Sequence, residues 1–145
     1  MENADEPDVG VLDEALLRVV ARRLGQLTIV ERVSVFPSAK PESVVAQFAT
    51  EYYPQQVETV TLELRTYVGG DFSVSYREEW GGGSWMSRWD RHDNPHNTRD
   101  HFHHPPDAGT EDAVDRAYPV DFLKMIEVVL QDIDDRIGEV WGDAR

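Results

Sequence analysis

All five histidines of this 145-residue chain fall within thirteen residues of one segment, SRWDRHDNPHNTRDHFHHPPDAG, which runs from Ser87 to Gly109. They are His92, His96, His101, His103 and His104, and Asp90, Asp93, Asp100 and Asp107 are interleaved with them. Imidazole and carboxylate together form the ligand set of zinc, manganese and non-haem iron. The segment therefore offers Asp90, His92, Asp93, His96, His101, His103 and His104 to a divalent metal. Their spacing matches no helical ligand motif, and Arg99 puts a cation among them. A second chemistry is metal-independent cleavage of an RNA phosphodiester. Two imidazoles remove the 2′-hydroxyl proton and protonate the leaving oxygen, while Arg88, Arg91 and Arg99 neutralise the phosphate. A third reading is structural: His and Asp side chains pin an irregular loop through bonds to backbone, with Asn94-Pro95 starting a turn.

The composition narrows the setting. Asp and Glu number 28 against 14 Lys and Arg, for a net charge of −14, and only Lys40 and Lys124 are lysine. Such a balance disfavours general nucleic-acid binding, which rewards basic residues through counterion release. It also suits a cytoplasm of molar salt, where the Debye length falls to about 3 Å and self-repulsion fades. A haloarchaeal source is the expectation. The absence of cysteine excludes disulfides, thiolate catalysis and Cys-based zinc sites. No apolar run approaches the ~20 residues of a membrane span. The opening MENADEPDVG has no signal-peptide pattern, so a cytoplasmic protein is expected, with residues 1–10 a disordered acidic tail.

The elements that must position the segment are legible on either side of it. Leu12, Leu16, Val20, Leu24 and Leu27 recur at helical spacing, with Asp13 and Glu14 in the first turn, and predict a helix over Val11–Leu27. TIVERVSVF and SVVAQFAT read as strands on either side of a Pro-bearing turn, with an ambiguous core face. Clearer alternation follows in VETVTLELRTYV and DFSVSYREEW, where Val60, Leu62 and Leu64, then Phe72, Val74, Tyr76 and Trp80, mark a buried face. Gly69-Gly70 joins these two as a hairpin, and GGGS leads into WMSRWD with Trp85 and Trp89 on one side. After the histidines, Phe122, Met125, Ile126, Val129, Leu130, Ile133, Ile137 and Val140 form one stripe of a long closing helix. The order predicts a single α+β domain over residues 11–141. Its antiparallel meander has about five strands, with the N-terminal and long C-terminal helices on one face. Trp80, Trp85, Trp89 and Tyr76 then belong to the core before any base-stacking role. Arg65, Arg77 and Arg88 are placed to pair with Glu63 and Glu79 across strands. The run DIDDRIGE reads as the wet face of the last helix.

One segment carries a resemblance. Arg88-Trp89-Asp90, then Asn94-Pro95-His96, then Phe102-His103-His104 is similar to the ordered signature of the TumE-like toxin family, in particular its haloarchaeal members. The helix, the strands with a YREEW-type segment and the closing helix extend the likeness over roughly residues 11–141. Two departures are visible: Arg91-His92-Asp93 reads as an insertion, and Pro105-Pro106-Asp107 replaces a basic Lys-His. The resemblance implies a growth-inhibiting toxin of a two-gene system, neutralised by a helix-turn-helix antitoxin of the TumA type.

Joined to the chemistry above, the expected site has His96, His103 and His104 for acid–base work, with Asp90 orienting an imidazole. Arg88, Asn94 and Arg99 bind substrate, RNA being the expected one. No cofactor is expected, with a divalent metal at the His/Asp cluster as the alternative. A non-catalytic interaction module and a metal-dependent hydrolase are the competing functions.

Overall fold

The computed structural model describes residues 11–92 and 100–143. The acidic segment 1–10, expected as a tail, lies outside them, as do Asp93, Asn94, His96 and Arg99 of the histidine-rich segment. Helix α1 (Glu14–Gly25) starts at Asp13, whose side chain accepts the Leu16 N–H at 3.1 Å. It is shorter than the predicted Val11–Leu27 because its leading residues are drawn to the sheet. Val68 N–H donates to the Val11 carbonyl at 2.7 Å, and Asp13 N–H to the Thr66 carbonyl at 2.9 Å.

The strands are β1 (Val30–Phe36), β2 (Ser43–Phe48), β3 (Val57–Thr66), β4 (Phe72–Trp80), β5 (Gly83–Arg91), β6 (Asp100–His103) and β7 (Ala113–Asp115). Each pairs antiparallel with its neighbour in sequence, so the described residues form one seven-stranded meander. At the β3–β4 turn Gly70 takes φ 100°, a conformation that glycine adopts without a Cβ penalty. The two strands beyond the predicted five are β6 and β7, drawn from residues that look irregular in sequence. Neither has an apolar alternation to announce it. The exposed edge of β5 supplies backbone partners, and Arg88 to His103 and Asp90 to His101 fall into register.

Helix α2 (Phe122–Asp143) closes the chain, with Asp121 Oδ1 accepting the Leu123 N–H at 2.9 Å. Leu17, Val20 and Leu24 of α1 and Met125, Ile126, Val129 and Ile133 of α2 pack with Val44, Leu62, Val74, Tyr76 and Trp89 of the sheet into one core. Both helices thus cover one face, as the apolar alternation predicts, and Arg23 joins them by an ion pair to Glu127 at 2.9 Å. On the uncovered face, Arg65 pairs with Glu63 at 3.8 Å and Arg77 with Glu79 at 3.0 Å. These pairs run along strands and not across them, because the register sets Ser75 opposite Glu63 and Ser84 opposite Glu79.

A buried ion pair crosses from β4 to α2. Glu78 is fully buried and accepts from Tyr76 Oη at 2.8 Å, Trp80 Nε1 at 2.9 Å, and Arg136 Nη2 and Nε at 2.8 and 3.0 Å. The guanidinium of Arg136 lies 3.7 Å from the centre of the Trp85 ring, and Tyr53 Oη adds a 2.7 Å bond to Tyr76. Burial raises the Tyr53 and Tyr76 hydroxyls well above their ordinary range. Arg136, and Asp132 one turn earlier, correct the reading of DIDDRIGE as a wet face. A carboxylate at a core position of β4 needs a cation, and Arg136 is the residue that reaches it.

Candidate functional site

The register of β5 and β6 determines which side chains meet. Residues opposite one another point to the same side, and consecutive residues to opposite sides. Arg88, Asp90, His101 and His103 therefore share the face away from the helices, whereas Trp89, Phe102 and His104 share the helical face. Asp90 Oδ2 accepts from Arg88 Nε at 3.0 Å and lies 2.9 Å from His103 Nε2. His103 Nδ1 donates to the Gly109 carbonyl at 3.1 Å. Arg88 Nη2 also comes within 3.2 and 3.3 Å of the two ring nitrogens, so the ring is shared among Asp90, the Gly109 carbonyl and the guanidinium.

The turn after β6 brings Gly109 into place. Ala108 N–H donates to the His104 carbonyl at 2.9 Å, and Met86 N–H to the Pro106 carbonyl at 2.7 Å, which fastens the turn to β5. Ala108 has φ 51°, in the left-handed region, and is buried. Under this turn Asp90 and His103 keep 8% and 5% of their side-chain surface, while Arg88 keeps 29%. The guanidinium is the exposed member of the group and is locked at its base by a nearly buried carboxylate.

His101 is not among the expected acid–base residues, but the structure places it beside this group. It is buried, and neither of its ring nitrogens has a hydrogen-bond partner among the described residues; Asp90 Oδ1 is in the same condition. The His101 ring packs on His92 with centroids 5.3 Å apart, and its Nε2 stands 3.9 Å from Asp115 Oδ1. Buried unpaired polar atoms are uncommon, and here three of them gather at one place.

Arg91 is structural. It holds Asp100 through two bonds of 2.7 and 2.9 Å and donates to the carbonyls of Tyr118 and Pro119 at 3.0 and 3.1 Å. The bond to Asp100 raises the guanidinium above its already high ordinary range. Tyr118 returns N–H to Asp100 and Oη to the His101 carbonyl at 2.9 and 2.7 Å. The group therefore clamps both ends of the histidine-bearing connection. Its signal in the sequence was parity, since Arg91 follows Trp85, Ser87 and Trp89 on the core side of β5.

Of the expected site residues, the structure brings together Arg88, Asp90 and His103. It places exposed His104 on the opposite face, and Asn94, His96 and Arg99 are outside the described residues. Among the described residues no group of three His, Asp or Glu side chains is arranged to hold a metal ion. No helix among them is long and apolar enough to cross a membrane.

Comparison with curated proteins and with solved structures gives no significant match for either. A family model described as "Toxin TumE" matches residues 17–137, which include most of α1, all seven strands and most of α2. The match spans most of the chain and contains the Arg88, Asp90 and His103 group, so this chain belongs to the TumE toxin family.

Proposed function

We propose that this toxin arrests growth as a metal-independent ribonuclease and is neutralised by a cognate helix-turn-helix antitoxin in the cytoplasm of a cell adapted to high salt. The observation that carries the reading is the Arg88–Asp90–His103 group. A nearly buried carboxylate holds an imidazole by Nε2 and, through the same oxygen, a guanidinium that reaches solvent. That arrangement suits phosphodiester chemistry. The guanidinium meets the phosphate and stabilises the charge that builds on it, while Asp90 fixes the ring that moves the proton.

The uncovered sheet face adds support. In a chain of net charge −14 it presents Arg32, Arg65, Arg77 and Arg88 against Glu63, Glu79, Asp90 and Asp115, so the charges on this face are balanced while the chain as a whole is acidic. In the resting state the Gly109 carbonyl covers the Nδ1 edge of His103 at 3.1 Å. Substrate engagement exchanges that carbonyl for a substrate oxygen, with a small opening of the turn.

The test uses purified protein, single-stranded RNA and EDTA. The wild type is expected to leave cyclic or 3′-phosphate ends. Folded Arg88→Gln and His103→Gln variants should cleave at least about 100-fold more slowly, as loss of a general acid–base group does. Equal cleavage and equal growth arrest by wild type and variants would sink the catalytic reading in favour of an interaction module. Cleavage abolished by EDTA would favour the metal-dependent hydrolase.

A further inference from the structure

A cleft of about 270 Å³ opens on the helical face, between β5, β6 and α2, on the other side of the sheet from Arg88. It lies at the small end of ligand pockets, a size for one side chain and not for a large cofactor. Trp85 and Phe102 form its aromatic walls, His104 and Pro105 one lip, and Asp135 and Glu139 of α2 the other.

Two arginines already sit at the ends of this cleft in the same manner. Arg136 stacks on Trp85 at 3.7 Å and is held by Glu78. Arg116 lies 5.3 Å from the Phe102 centroid and is held by Asp132 at 2.9 Å. Each has an aromatic face and a carboxylate of its own. Asp135 and Glu139 stand at the mouth, both exposed, and among the described residues they meet only the neutral Gln131 amide on Asp135 and a 3.7 Å approach of Arg136 to Glu139.

We infer that the cleft receives an arginine side chain from a basic segment of the cognate antitoxin. A planar guanidinium can stack on an aromatic ring and meet a carboxylate with two parallel bonds, which an ammonium cannot do. The excess of carboxylate repels a phosphate-bearing ligand and attracts a cation. In molar salt, with a Debye length of about 3 Å, the gain from basic charge is confined to contact range, where it adds specificity. The position also suggests how docking would silence the toxin, a point that rests on the proposed ribonuclease reading. His104 and Pro105 begin the turn that ends in Gly109, so a side chain seated against them holds the Gly109 carbonyl on His103.

The full chain, labelled with nitrogen-15, is titrated with acetyl-Gly-Arg-Gly-amide and with its citrulline counterpart, which has the same shape without the charge. The indole N–H signals of Trp85 and Trp89 should shift saturably while that of Trp141, bonded to the Tyr52 carbonyl outside the cleft, stays in place. The arginine peptide should bind at least about tenfold more tightly than citrulline. The folded Asp135→Asn/Glu139→Gln variant should remove that advantage, as expected when charge-assisted bonds are lost. Equal affinity for the two peptides, no effect of the variant, or displacement of the peptide by uridine or guanosine monophosphate overturns the inference. Neither carboxylate belongs to the Arg88 group, so the variant should keep its ribonuclease activity. Failure of the ribonuclease reading would leave the peptide result standing.

Discussion

Replacing Arg136 by methionine leaves the packing on Trp85 roughly intact but removes the only cation bonded to Glu78 among the described residues. Glu78 has no exposed surface, so water cannot substitute for the two bonds it loses. Breaking a buried ion pair from one side costs about 3–5 kcal/mol. A domain of this size loses about 3 °C of melting temperature per kcal/mol, so the midpoint should fall by roughly 10–15 °C. The companion Glu78→Leu/Arg136→Met removes both charges. It still deprives Tyr76 Oη and Trp80 Nε1 of their acceptor, at about 1 kcal/mol each. The double variant should therefore recover part of the loss and settle about 2 kcal/mol below wild type. Thermal and urea unfolding followed by tryptophan fluorescence measure all three proteins. A loss under about 1 kcal/mol for the single variant, or a double variant no better than the single, would refute the account of Glu78 as a dry carboxylate.

Three further outcomes follow from the same structure. Burial raises the hydroxyls of Tyr53, Tyr76 and Tyr118 above the usual value of about 10. Their neutral form is the one the fold holds, so stability is full below pH ~10 and falls above it, where the unfolded chain ionises first. Absorbance at 295 nm during alkaline titration should show these three ionising only with unfolding; smooth titration of every tyrosine while folded would count against it. Ala108→Val puts a β-branched residue at φ 51° in a buried turn and should cost roughly 1–2 kcal/mol or more, whereas Ala108→Gly should be tolerated. Equal denaturation midpoints for the two would remove the strain argument. Finally, the charge of −14 predicts a melting temperature that climbs as KCl is raised from about 0.1 M to 1 M, where the Debye length shrinks from about 10 to 3 Å. A flat profile would argue against adaptation to molar salt.

The parts of the fold that the sequence made legible are those where local pattern and tertiary demand agree. The β3–β4 hairpin has alternation on both strands and a two-glycine turn, and α2 has an unbroken apolar stripe. β6 has neither, and its four residues Asp-His-Phe-His become a strand only because β5 presents an edge. The site was legible as a segment but not as a constellation. Treating His103 and His104 as one pair overlooked that neighbours on a strand face opposite ways, which sends His104 to the cleft and His103 to Asp90. Arg91 has the chemistry of a phosphate ligand in sequence, yet in the fold it and Asp100 tie the connection to Tyr118 and Pro119. Glu78 sat at a core parity between Tyr76 and Trp80, and its partner lay 58 residues on in a run that looked fully solvated. No local pattern carries information over that distance.

The meander has a consequence for how the molecule comes into being during synthesis. Every strand pairs with the one made just before it, so the sheet grows by short hairpin closures as the chain emerges, an order associated with fast, local folding. Helix α2 is made last, and with it come Arg136 for Glu78, Asp132 for the Trp89 indole at 2.9 Å and Glu127 for Arg23, 104 residues away. Until then the helical face of the sheet holds an unneutralised carboxylate and a half-covered core. The interior is therefore complete only once α2 has packed on the sheet.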